Sequence, residues 1–250
     1  LIKVGVVGKP RHCNVVFKQK GKIKNNQEKW ISFNATQYMS SMNPGFIWKA
    51  QSFPMLIRDK SMNNKGEMKI SFLGLKNFAR ISGDEVDQSS LGRYLGELIW
   101  FPIGFLDSDI SWETINNESV KATIVKGDLT LEGVFFFDQN GLIDHFETKR
   151  YRYTAMEDFI GEVGIYKKYD GLLIPDSMTA IWNLKGQKFE YFKATIFRLS
   201  RRGSADLVLD DGGDPDVLRR GEGGGAERAG GEGETDHHGE NLMLAVSPKR

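Results

Sequence analysis

The sequence predicts a mainly β, α+β fold: a strongly curved antiparallel sheet, or half-barrel, wrapped around one central helix, with a disordered C-terminal tail. Three observations predict it. Short alternating segments are separated by hairpin turns at roughly 15–20-residue spacing, which leaves no room for the crossover helices of a parallel sheet. One stretch alone, DQSSLGRYLGELIWFPIGFL from Asp87 to Leu106, has clear helical periodicity. All 28 aromatic residues precede position 200, so one body of about 200 residues holds the core.

In chain order, Leu1 to Arg11 reads as a lead-in. Its Gly8-Lys9 is followed by Pro10, where a Walker A loop needs Ser or Thr. Asn14 to Lys20 reads as a strand, β-branched at Val15 and Val16. Lys29 to Ser40 alternates, with Ile31, Phe33, Ala35, Gln37 and Met39 on one face. Neither face is purely polar, which predicts cover on both sides. Asn43-Pro44-Gly45 is a turn. Phe46–Gln51, Met55–Lys60 and Glu67–Leu73 follow as strands, the last two around the turn at Asn63 to Gly66.

The helix is expected over Gln88–Phe101. Asp87 or Ser89 can cap it by accepting a free first-turn N–H. Leu91, Tyr94, Leu95, Leu98 and Ile99 recur on one face. Arg93 and Glu97, four apart, can pair. Pro102 stops the helix by excluding the α conformation from the residue before it. Gly92 and Gly96 each cost a helix about 1 kcal/mol relative to Ala, so they predict close backbone approach to the sheet.

The second half is a run of hairpins. Ile110–Ile115, Val120–Val125, Asp128–Phe137 and Leu142–Tyr153 are strand-like, the last pair joined through the turn ending Asn140-Gly141. Ile160–Tyr169 meets Leu172–Pro175 across Asp170-Gly171. Ser177–Leu184 meets Lys188–Leu199 across Lys185-Gly186. In all, about ten strands are expected.

The division expected is residues 1–200 for the β domain and 201–250 for the tail. The tail has eleven glycines and no aromatic, too little apolar surface to offset ordering entropy. Its six Arg to one Lys contrast with seven Arg to 20 Lys in the body. Arg, Gly and Ala favour GC-rich codons, and Lys, Asn and Ile favour AT-rich ones. The tail therefore reads as a frameshift or a fusion; one continuous reading frame of even composition at the source would contradict this. The chain begins at Leu1 rather than Met, which reads as a fragment, and an upstream segment could carry a membrane anchor. The compartment is left open.

Net charge is +1, with seven basic and eleven acidic residues in the tail, so the body is mildly basic. That charge is spread along the chain, unlike a nucleic-acid-binding face, and no nucleic-acid partner is expected. Cys13 is the sole cysteine. His12 and His145 belong to no zinc pattern, and His237-His238 lie in the tail, so neither metal nor cofactor is expected. His145 reads as part of a solvated strand face. Asp107, Asp109, Asp138 and Asp144 fit turn and cap roles. In Arg150-Tyr151-Arg152-Tyr153, alternation puts both arginines on one face, where guanidinium groups could hold a carboxylate or anionic headgroup.

The chain resembles a family of uncharacterised prokaryotic proteins, a domain of unknown function. The matching residues are Asn43 through Trp48, Gly92 through Leu95, Trp100-Phe101-Pro102, Ala122-Thr123, Arg150-Tyr151-Arg152, Asp170-Gly171 and Ile174-Pro175, roughly residues 5–200. Phe159-Ile160-Gly161 departs from the Trp-x-Gly usual there. The resemblance implies a fold similar to the LolA/LolB-like half-barrels of lipoprotein localisation, in which the sheet wraps a helix and leaves an apolar groove. It implies no activity.

The functional expectation is a non-enzymatic binder of a lipid or other apolar small molecule in a groove between sheet and helix. Trp48, Arg93, Tyr94, Glu97, Trp100, Phe101, Arg150 and Arg152 are the candidate binding residues, with Trp100-Phe101-Pro102 at the rim. The alternatives are an enzyme with Glu97 as acid or base among the arginines, and an interaction module of an envelope protein.

Overall fold

The computed structural model describes residues 1, 3–9, 13–25, 27–41 and 44–202. His12, Asn43, the tail beyond Arg202 and its paired histidines lie outside them.

Six strands come first: β1 (Asn14–Lys24), β2 (Trp30–Ser40), β3 (Gly45–Ser52), β4 (Met55–Met62), β5 (Lys65–Phe72) and β6 (Lys76–Ile81). The helix α1 (Asp84–Glu97) and a 3₁₀ turn (Pro102–Leu106) follow. Then come β7 (Ile110–Asn116), β8 (Ser119–Lys126), β9 (Leu129–Phe137), β10 (Ile143–Arg152), β11 (Ala155–Val163), β12 (Tyr166–Tyr169), β13 (Leu172–Pro175), β14 (Ser177–Leu184) and β15 (Gln187–Arg202).

Thirteen strands form one sheet in the order β6-β5-β4-β3-β2-β1-β15-β14-β11-β10-β9-β8-β7. Its neighbours run antiparallel, as each hairpin requires. The chain meanders outward from β1 to the edge at β6. It then crosses through α1 to the other edge and meanders back until β15 pairs with β1. The helix touches β4 and β5 on one wing and β9 and β10 on the other. One helix can meet both wings only if the sheet curls around it, which is the half-barrel the sequence predicts.

Among the described residues, fifteen strands replace the expected ten or so. The stretch Ile160–Tyr169 is two elements: β11 joins the main sheet, and β12 pairs only with β13. β6 is short and half exposed, so it carries almost no apolar alternation. Phe33, Ala35 and Met39 of β2 enter the concave core, while toward its C-terminal end Tyr38 joins Val16, Ile47 and Met62 in a small cluster. Both faces are covered there, as the pattern predicts.

The helix lies four residues earlier than expected. Gly83, at φ 129°, is its N-cap, and no side chain caps it. Asp84, Glu85 and Asp87 in the first turn suit the positive end of the helix dipole. Asp87 is not a cap. Its carboxylate accepts from Gly66 N at 2.6 Å and Lys65 Nζ at 2.7 Å, which ties α1 to the β4–β5 turn. At the far end the bonds shorten in register, Trp100 N to Glu97 O and Phe101 N to Leu98 O. The chain thus leaves the α-helix through tight turns before Pro102. Trp100, Phe101 and Pro102 are buried rather than a rim. Trp100 Nε1 donates to Pro175 O at 3.0 Å.

The two helix glycines do bring backbone and sheet together. A Cβ on Gly92 would sit 2.9 Å from Arg150 Cγ, and one on Gly96 would sit 2.8 Å from Phe146 Cδ1. Both contacted residues point inward from β10, four apart along the strand.

Candidate functional site

The face of α1 bearing Gly92, Arg93, Gly96 and Glu97 looks onto the central strands. Opposite it, Gln37, Trp48 and Asp59 are direct cross-strand partners on β2, β3 and β4. These polar positions fall on inward faces that are otherwise apolar, and they form one network. Arg93 donates from Nε to Glu97 Oε1 at 2.9 Å and from a terminal nitrogen to Asp59 Oδ2 at 2.6 Å. Gln37 Nε2 donates to Glu97 Oε2 at 2.5 Å. Gln19 Nε2 donates to Gln37 Oε1, and Trp48 Nε1 donates to Gln19 Oε1, both at 3.0 Å. The Arg93 guanidinium lies over the Phe46 ring at 4.5 Å and the Trp48 ring at 5.2 Å.

Side-chain exposures of 15 % for Arg93, 11 % for Glu97 and 9 % for Asp59 keep solvent screening of these pairs weak. Burial works against the charge on Arg93, but Glu97 and Asp59 outweigh it and raise its pKa. Burial pushes the Asp59 carboxyl above its ordinary value, against the pull of Arg93.

Arg150 faces the same space from β10. It is 8 % exposed. Its Nε donates to Ser89 O at 3.0 Å, and its guanidinium lies 4.5 Å from the Phe159 ring centre and 5.8 Å from that of Trp182. Among the described residues it makes no ion pair.

Trp48, Arg93, Glu97, Trp100 and Arg150 therefore converge, together with Asp59, around a cavity of about 90 Å³ between helix and sheet. The other three expected residues do not join them. Tyr94 and Phe101 are core residues, and the Tyr94 hydroxyl is buried without a hydrogen-bond partner among the described residues. Arg152 ends β10 half-exposed over the Tyr153 and Phe189 rings, outside the cavity. Asp59, Gln37 and Gln19 were not anticipated. Their signal was a polar residue recurring inside an apolar alternation.

A roomier space lies elsewhere. Ile99, Pro102 and Phe105 face Trp112 on β7, Val120 on β8 and Phe135 and Phe137 on β9, around a cavity of about 300 Å³. Leu1, Lys3 and Val4 form its outer wall. Phe105 meets Trp112 at 5.6 Å and Phe135 at 5.2 Å, both edge-on.

The remaining candidates are quiet. Cys13 is buried, and burial pushes its thiol pKa up, opposite to an activated nucleophile. His145 is only half exposed rather than fully solvated, because its ring stacks on Phe136 at 4.3 Å, and its Nδ1 lies 2.8 Å from Asp144 Oδ2. Among the described residues, no group of three His, Cys, Asp or Glu could hold a metal. No helix among them is long and apolar enough to cross a membrane.

Fold and site define a one-helix antiparallel half-barrel with a buried ionic network under the helix. A family of unknown function, DUF6544, matches residues 1–194, and the chain belongs to it. No curated protein matches the chain. Several solved structures are similar, among them the following two. One is a "putative outer membrane lipoprotein-sorting protein domain" from Vibrio parahaemolyticus, 11 % identical, covering 79 % of this chain and 87 % of that one at a TM-score of 0.45. The other is a LolA superfamily protein from Nitrosomonas europaea, 12 % identical, covering 81 % of this chain and 92 % of that one at a TM-score of 0.47.

Proposed function

We propose that the protein is a non-enzymatic binder of a lipid or other apolar small molecule. The observation that carries this is the 300 Å³ cavity between the helical crossover and the β7–β10 wing. Its size is at the lower edge of small-molecule pockets. At about 30 Å³ per water-sized group it takes on the order of ten carbons. Its lining is almost wholly aliphatic and aromatic, so transferring a hydrocarbon into it removes apolar surface from water at about 25 cal/mol per Å². Trp112, 45 % exposed, stands at the mouth with its other edge on Phe105.

The space expected between helix and sheet at Arg93 and Glu97 is a poorer home for a chain. It is narrower and walled partly by charge. Glu97 also has both carboxylate oxygens occupied, one by Arg93 and one by Gln37. That arrangement fastens the helix to the sheet.

The test is uptake of a fluorescent fatty acid by the wild type and by Val120→Trp, which fills the cavity. Uptake lost in the variant, with folding retained, supports the reading. Equal uptake by both would place the ligand elsewhere.

A further inference from the structure

We propose that the narrow cavity beneath α1 is a carboxylate-binding site, with the Arg150 guanidinium as its recognition group. This goes beyond the apolar cavity above, with which it shares no lining residue.

The argument starts from what each buried charge already holds. Arg93 already holds two carboxylates, one at Nε and another at a terminal nitrogen. Asp59 and Glu97 are accordingly tied to it. Arg150, 8 % exposed, has the Ser89 carbonyl at Nε as its one hydrogen-bond acceptor among the described residues, and its charge reaches Asp59 without an ion pair. Its two terminal amino groups meet no acceptor among the described residues. Those nitrogens are the fork that binds a carboxylate through two parallel hydrogen bonds.

The surroundings suit such a ligand. Phe159 and Trp182 support the guanidinium plane from the sheet, so its orientation is set before anything binds. Gly92 supplies the room, since a Cβ there would press on Arg150 Cγ and on Leu131 Cδ1. A volume of about 90 Å³ takes about three water-sized groups, the size of a carboxylate with little attached. The walls beyond the charges include Met68, Ile70, Phe146 and Ala180, which suit a short hydrocarbon stub, with Thr179 and Tyr191 as their polar members. Asp59 and Glu97 also line the cavity, and their negative charge would oppose an anion. Arg93 offsets it, and burial that favours a proton on Asp59 relieves it further.

The chemistry is shared by a free short-chain acid and by the head of a fatty acid, so the experiment separates them. The full chain is titrated with acetate, with acetamide as the neutral isostere, and with butyrate and decanoate, following shifts in its NMR spectrum. Acetate should bind in the wild type and acetamide should not, a comparison that needs no variant to fold. Arg150→Gln should weaken acetate binding by roughly tenfold or more, the loss expected for a charge-assisted bidentate pair, while Arg152→Gln leaves it unchanged. Affinity that climbs with chain length assigns the site to an amphiphile's head, and affinity that stays flat or falls assigns it to a free short acid. Val120→Trp, which blocks the larger cavity, should not alter acetate binding. Acetate and acetamide binding alike, no acetate binding, or acetate binding that survives Arg150→Gln would each overturn the proposal.

Discussion

Gly96 of α1 and Phe146 of β10 meet where a side chain is missing: a Cβ on the glycine would lie 2.8 Å from Phe146 Cδ1. The ring is fully buried, lies 4.7 Å from Phe135 and packs against Gly133, so apart from the narrow cavity it lines it has little room to shift. On an exposed helix Gly→Ala would stabilise by about 1 kcal/mol. Here Gly96→Ala should destabilise by about 1–3 kcal/mol, the usual cost of overpacking. Urea unfolding of the two proteins decides the sign.

Arg93 ties Asp59 to Glu97. Replacing it with Met leaves two buried carboxylates without their ion-pair partner, Glu97 keeping the Gln37 hydrogen bond, and breaking such a network typically costs about 3–5 kcal/mol. Adding Asp59→Asn and Glu97→Gln to the Met variant should recover part of that loss, because the orphaned charges are gone. Denaturant titration of the single and triple variants measures both.

The buried Asp59 carboxyl predicts a pH dependence of definite sign. Its folded pKa lies above its unfolded value, so between the two the folded state binds more protons. Its contribution to stability therefore rises as pH falls through the folded pKa and levels off below the unfolded one. Asp170, hydrogen-bonded by Arg201, and Asp176, hydrogen-bonded by Lys167, have lowered pKa values and act in the opposite sense. The comparison that isolates Asp59 is wild type against Asp59→Asn. The wild type should gain on the variant as pH is lowered from 8 toward 4, read as the difference in Tm.

The Tyr94 hydroxyl is buried without a hydrogen-bond partner among the described residues, so it carries a desolvation cost with no return. Tyr94→Phe should be neutral or should stabilise by about 1 kcal/mol, a rise of about 2–4 °C in Tm for a chain of this size. A clear loss would mean that the hydroxyl is bonded in solution.

Much of this fold was legible because hairpin turns and period-two alternation are local signals. Asp138 to Gly141 and Asp170-Gly171 announce their turns, and the glycines at 92 and 96 announce the close approach. The helix start was misplaced because Asp87 looks like a cap by type, while its partner, Gly66, is remote in sequence and close only after folding. The site was half legible for the same reason. Arg93 and Glu97 pair within one helix, so spacing shows them. Asp59 and Gln37 reach them only through cross-strand register, and a polar residue in an apolar stripe was the one local trace. Arg152 was misread because alternation assigns a face but not where the strand ends.

The central claim is that the half-barrel holds an apolar molecule. It is tested most directly by native mass spectrometry of gently purified protein, paired with solvent extraction and analysis of the extract. A discrete apolar adduct that extraction removes, and that Val120→Trp lacks, is the result predicted. Protein that is consistently ligand-free and takes up no fluorescent fatty acid would contradict it.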